Sequence, residues 1–388
     1  MGIEILFLLL PAAAFSGWWL GRRGAHEEPA ASGGGIPPDY LKGLNYLLNE
    51  EPDKAIALFI EMLEVNRDTV ETHLALGSLF RRRGEVDRAI RIHQNLIARP
   101  TLNHAQRAHA LFELGQDYMR AGLLDRAEAL FNELIDSGPH TEAALRYLLG
   151  IYEQERDWHK AIETARKLET RSGSSCAERI AHYYCELAEL EHRQGEIVRA
   201  LRTLRRALTE DRNCVRASLL EGRLEQERGD HKDALRAYRR VEQQDPEYVP
   251  EIIEPVQACL HQLGRDAEAR AWLHEIQARH GGISAVLAAA DIIARDDTQA
   301  AIDYIIDYLK RRPSVRGMDH LIGLSMERSH GAAHDNLKLL KDITDLLLAD
   351  KPVYTCRSCG FAGKTLHWQC PGCRKWNTIK PVHGVEGE

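Results

Sequence analysis

GSLFRRRGEVDRA, residues 77–89, is matched at 115–127 by GQDYMRAGLLDRA and at 222–234 by GRLEQERGDHKDA. Each stretch opens on Gly, carries Gly84, Gly122 or Gly229 seven residues later, and closes on Ala89, Ala127 or Ala234. Working outward, the closing Ala recurs at Ala55, Ala89, Ala127, Ala161, Ala200, Ala234, Ala269 and Ala301, at intervals of 32 to 39 residues. Five residues before it stands Gly84, Gly122, Gly195, Gly229 or Gly264. An aromatic, Tyr46, Phe80 or Tyr118, follows the opening Gly by three; Phe59, Phe131 and Tyr238 follow the Ala by four. Pro100, Pro139, Pro246 and Pro313 end units. These positions describe two antiparallel helices. Small residues allow close approach, aromatics fill the space beside them, Gly makes the turn, and Pro stops the second helix.

A period near 34 with these residues resembles the tetratricopeptide repeat. The reading is an all-α superhelical solenoid over 39–313, closed by one or two helices over 314–350. Units four and five are degenerate, with Leu149 and Ala188 at the Gly position and Glu191 in place of an aromatic. Stacked repeats form a concave face that ordinarily takes a peptide or partner helix. Lys42 and Asn45 suggest a carboxylate clamp, but the second unit lacks matching partners.

Of 388 residues, 44% are hydrophobic and only 6% aromatic, which suits helical repeats. Lys and Arg number 51 against 58 Asp and Glu, a net charge of −7, so no nucleic-acid partner is expected. Arg81-Arg82-Arg83 and Arg205-Arg206 read as solvated helix faces. Cys176, Cys185, Cys214 and Cys259 show no disulfide spacing and read as small buried residues of a reducing compartment. His182 and Cys185, three apart, lack further ligands nearby in sequence. No nucleophile–base motif, phosphate loop or HExxH pattern occurs, so no enzyme is expected and no catalytic residue is assigned.

Ile5 to Leu20 is uncharged, ends in Trp18-Trp19 and is followed by Arg22-Arg23. Residues 1–21 read as a short transmembrane anchor, with the remainder on the cytoplasmic side. A cleaved signal would carry its positive charge before the apolar run, where only Glu4 stands. Residues 22–38 read as a flexible linker.

The C-terminus, 351–388, holds Cys356-Arg-Ser-Cys359-Gly and Cys370-Pro-Gly-Cys373. Two Cys-x-x-Cys knuckles point four thiolates at one tetrahedral ion. Four thiolates close the site, and Cys₄ suits iron and zinc alike. The module resembles rubredoxin. It is too small to bury much core, so the metal supplies most of its folding free energy. Trp368 and Trp376 are expected to pack the module or dock it on the last repeats.

The order of parts is an anchor ending GWWLGRR, a linker, an eight- or nine-unit array, then YTCRSCGF and WQCPGCRKW. It resembles the lipopolysaccharide assembly protein B family of Gram-negative bacteria. The resemblance implies an adaptor at the cytoplasmic face of the inner membrane. It implies that the adaptor promotes degradation of the lipid A pathway deacetylase by the membrane-bound AAA+ protease FtsH, and gathers other lipopolysaccharide-synthesis proteins. It implies iron in the metal site, with zinc the alternative. Read without the resemblance, the same parts also suit an electron-transfer protein or a general membrane scaffold.

Overall fold

The computed structural model describes residues 38–48, 54, 55, 58, 70–100, 102–385, 387 and 388. The expected anchor and linker lie outside them, apart from Pro38. Among the described residues no helix is long and apolar enough to cross a membrane. The chain divides into two units, 1–121 and 122–388.

The first unit contains α1 (Pro38–Leu48), α2 (Val70–Arg82), α3 (Val86–Ile97) and α4 (His104–Ala121). Ala55, Leu76, Phe80, Ala89 and Ile92 form one core cluster, so the repeat's small and aromatic positions are its packing positions. His93 occupies the register held elsewhere by an aromatic four residues after the Ala. It is fully buried, with Nδ1 2.5 Å from Asp117. Arg81 donates to both Asp117, at 2.8 Å, and Glu113, at 2.7 Å. The ring of His93 fills the space that Gly77 leaves; a Cβ there would meet it at 2.3 Å.

The second unit runs α5 (Leu124–Ser137), α6 (Thr141–Glu155), α7 (Trp158–Ser172), α8 (Ala177–Arg193), α9 (Ile197–Glu210), α10 (Val215–Glu227) and α11 (His231–Gln244). A 3-10 turn (Pro246–Tyr248) leads to α12 (Pro250–Gln262), α13 (Asp266–His280), α14 (Ile283–Ala294), α15 (Thr298–Leu309), α16 (Val315–Glu327) and α17 (Ala332–Ala349). From α6 on these helices pair, with α6, α8, α10, α12, α14 and α16 first and the others second. Side chains of Asp157, Asp230, Asp297 and Ser314 cap the starts of α7, α11, α15 and α16.

The turn glycines all take positive φ, from 68° at Gly264 to 84° at Gly84. At the equivalent place in unit four stands Arg156, with φ 60°. A side chain costs about 1–2 kcal/mol in this left-handed conformation. Arg156→Gly is therefore expected to raise the free energy of unfolding by about 1 kcal/mol in urea denaturation. A decrease would show that the Arg156 side chain makes a compensating contact.

Three short strands follow the helices: β1 (Tyr354–Cys356), β2 (Ala362–Gly363) and β3 (Ile379–Pro381), in the antiparallel order β2-β1-β3. Their own core is Cys356, Cys370 and Ile379, flanked by Tyr354, Phe361, Leu366 and Cys373.

Candidate metal centre

The sheet sets the two knuckles opposite one another. Cys356 ends β1, and its amide accepts no slack: it donates to Phe361 O at 2.7 Å, closing the first knuckle, in which Gly360 has φ 76°. The Cys370 amide donates to Lys375 O at 2.9 Å and closes the second, in which Arg374 has φ 57°. The four Sγ atoms lie within 4.8 Å of one another. Cys356 and Cys373 are 3.8 Å apart; Cys359 and Cys370 are 3.6 Å apart. A tetrahedron with metal–sulfur bonds of about 2.3 Å has edges of roughly 3.8 Å, so the sulfurs fit one ion. Desolvation opposes a thiolate at Cys356. The Thr378 hydroxyl, 3.3 Å from its sulfur, and the amides of Cys359 and Ser358 outweigh that and hold the thiol down, to about 6. A thiol that ionises easily is a ready metal ligand. Cys356 and Cys370 are buried and Cys359 is exposed.

Among the described residues no other His, Cys, Asp or Glu group gathers in this way. Cys176, Cys185, Cys214 and Cys259 are all buried and free, as expected of small core residues. Cys185 packs against Cys214, with sulfurs 3.9 Å apart.

The module docks on the last repeats as expected, through Glu251, Ser284 and Arg316, but it also reaches back to α6. It spans the first-helix face from α6 to α16, covering the surface expected to take a partner. The Trp376 indole N–H donates to Glu153 of α6 at 3.0 Å. Its ring stacks on His182 of α8, centroids 5.0 Å apart, and meets Trp158 and Tyr183 edge-on. The Arg216 guanidinium of α10 lies over the same ring at 5.9 Å. Trp368 packs on Tyr248 at 5.4 Å, and the Tyr248 hydroxyl donates to Ile379 O at 2.8 Å. Lys380 pairs with Asp245 at 2.5 Å and Arg357 with Glu247 at 2.6 Å. The tail finishes the dock: Val315 N donates to Val385 O at 2.8 Å, and Glu388 pairs with Arg316.

The reason is local. The module cannot bury two indoles within its own small core. Degenerate units four and five supply the missing partners in Glu153, His182 and Tyr183. Sequence reasoning missed these because they are not repeat positions. His182 is 2% exposed, and its pKa falls to about 3 through burial, then through the nearby cations Arg216 and Lys380. The ring is thus neutral when docked, whereas a released ring titrates near 6.5. The released state takes up the proton first, so docking is fully kept above pH 6.5 and weakens as pH falls toward 3. Tryptophan fluorescence should show easier release at pH 5 than at pH 7. His182→Phe should remove most of that difference; an equal difference in the variant would assign it to other groups, the thiols first.

Residues 354–381 match the family model described as a rubredoxin metal binding domain. Tetratricopeptide repeat models match 72–105, 112–175 and 185–249. The chain is 42% identical over 387 residues to lipopolysaccharide assembly protein B of Escherichia coli strain K12, covering 99% of this chain and 100% of that one. The chain belongs to the lipopolysaccharide assembly protein B family. A more divergent member, lipopolysaccharide assembly protein B of Haemophilus influenzae, is 34% identical over 395 residues, with 99% of each chain covered. Helical repeats and a rubredoxin-like cysteine module are therefore the architecture of this family member, and the close approach of four cysteines in that module suggests one metal ion.

Proposed function

We propose that this chain is a membrane-tethered adaptor that regulates lipopolysaccharide biosynthesis. Cys356, Cys359, Cys370 and Cys373 hold one structural metal ion, iron or zinc. The ion folds the module, and the module braces the repeats. The observation that carries this reading is the wedge of Trp376 and Trp368 between first helices, which makes the metal site part of the repeat surface. A site closed by four protein sulfurs, with no base or nucleophile set beside it, suits a scaffold better than a catalyst. The names of the full-length relatives support a role in lipopolysaccharide assembly.

In this reading residues 1–21 tether the chain to the inner membrane, facing the cytoplasm. A tether raises the effective concentration of weakly bound partners at that surface. The partners are the protease FtsH and the lipid A pathway deacetylase, whose delivery the adaptor promotes. First-helix surface beyond the module remains for them: an open groove of about 820 Å3 between α12 and α14, floored by Ala258, Leu287 and Ala288.

The test is the half-life of the deacetylase after translation is blocked. It should lengthen several-fold on deletion of this protein, and also when only residues 2–21 are removed. An unchanged half-life on complete deletion would eliminate proteolytic delivery.

A further inference from the structure

The module covers the first helices of the second unit and touches the second helices only at Trp158, where α7 begins, among the contacts described; charge is distributed unevenly among those second helices. Helices α7, α9 and α11 together carry twelve Lys and Arg against five Asp and Glu, a net of +7 in a chain whose total is −7. Their neighbours in the series are acidic: α5 carries −3 and α13 carries −1. The basic surface is therefore confined to three consecutive second helices.

Much of that charge is uncompensated. Lys160, Arg166, Arg199, Arg236, Arg239 and Arg240 have carboxylate partners. Lys167, Arg171, Arg202, Arg205, Arg206 and Lys232 are exposed and have no ion-pair partner among the described residues. Of the acidic residues on these helices, Glu210, Asp233 and Glu242 are engaged by arginines and Glu169 by the amide of Cys176. Glu163, and Glu169, whose charge a neutral amide leaves in place, stand against the six free cations. Val198, more than half exposed, lies on the same stripe of α9 as Arg202 and Arg205. Cations on these helices, with an exposed apolar side chain at the end of their stripe, suit a surface of fixed negative charge bordering an apolar layer.

We infer that the α7–α9–α11 face docks on anionic lipid headgroups. The inference rests on the proposed membrane tether, which makes the bilayer the nearest extended polyanion. Attraction acts within a Debye length, about 8 Å at physiological salt, so these helices lie on the headgroups. The metal module, on the first-helix side, then looks away from the bilayer.

The full chain is incorporated into nanodiscs of phosphatidylcholine alone or with about 30% phosphatidylglycerol, near the charge density of an anionic leaflet. Acetylation of Lys167 and Lys232 by an amine-reactive reagent is followed by mass spectrometry, with exposed Lys338 of α17 as the reference. Both lysines should react at least about fivefold more slowly in the anionic discs while Lys338 is unchanged, and roughly 0.5 M salt should abolish the difference. Combined Arg202→Glu, Arg205→Glu and Arg206→Glu should remove it with helical circular dichroism intact. Incorporation into both discs with equal rates overturns the inference alone. A chain that enters neither disc overturns the tether, and this inference with it.

Discussion

Replacing Cys356 and Cys370 together by serine is expected to lower the metal content from about one ion per chain to none, by elemental analysis of the purified protein. Each substitution removes a ligand from a different knuckle, so neither Cys-x-x-Cys pair survives. A structural zinc contributes about 10–16 kcal/mol of apparent binding free energy at neutral pH, which here is folding free energy of the module. The module's own core of Cys356, Cys370 and Ile379 cannot replace it, since two of its three buried members are the proposed ligands. The repeats should remain helical by circular dichroism, because their cores are Ala, Leu and aromatic contacts that owe nothing to the metal. Trp368 and Trp376 should emit at longer wavelength as they leave the first helices. Full occupancy in the double variant would sink the metal assignment. The same analysis of the unaltered protein identifies the element.

Trp376→Ala should separate docking from metal binding. Trp376 is 8% exposed and touches Trp158, His182, Tyr183 and Arg216 while donating to Glu153. Truncating so large a buried side chain costs about 3–5 kcal/mol. The loss falls on the contact with the repeats, since the sulfurs are held by knuckle amides that do not involve the indole. The variant should keep its metal, melt at a lower temperature and be cut by protease near 350–353, between α17 and β1. Trp376→Phe keeps most of the apolar contact but not the hydrogen bond, and should be milder. An unchanged melting temperature together with unchanged protease resistance would mean that the other contacts hold the module by themselves.

The repeats were legible because their spacing is imposed by local geometry. Ala89, Ala127, Ala161, Ala200 and Ala234 are fully buried at the places where paired helices meet. The knuckles were legible because two Cys-x-x-Cys pairs have few other uses. What the sequence did not disclose was the face the module occupies. Glu153, His182, Tyr183 and Tyr248 have no spacing rule, and their contacts join residues more than a hundred positions apart. Departures from the repeat pattern were the available signal, since Leu149 and Ala188 mark the helices on which Trp376 lands. His93 was hidden differently. It took an aromatic position, and only the carboxylate of Asp117 beside it explains why a polar ring is stable there.

A repeat array held only by nearest-neighbour contacts behaves as a spring, each joint bending a little. Here Trp376 grips α6 and Glu388 grips α16, so one rigid insert crosses the joints between them. Bending that opens those joints must also strain the insert, and the elastic response becomes that of a braced beam. The grip of Trp376 on Glu153 joins residues 223 positions apart, a contact of long sequence separation. The helix pairs need only local contacts, whereas the brace exists only when the module reaches both α6 and α16.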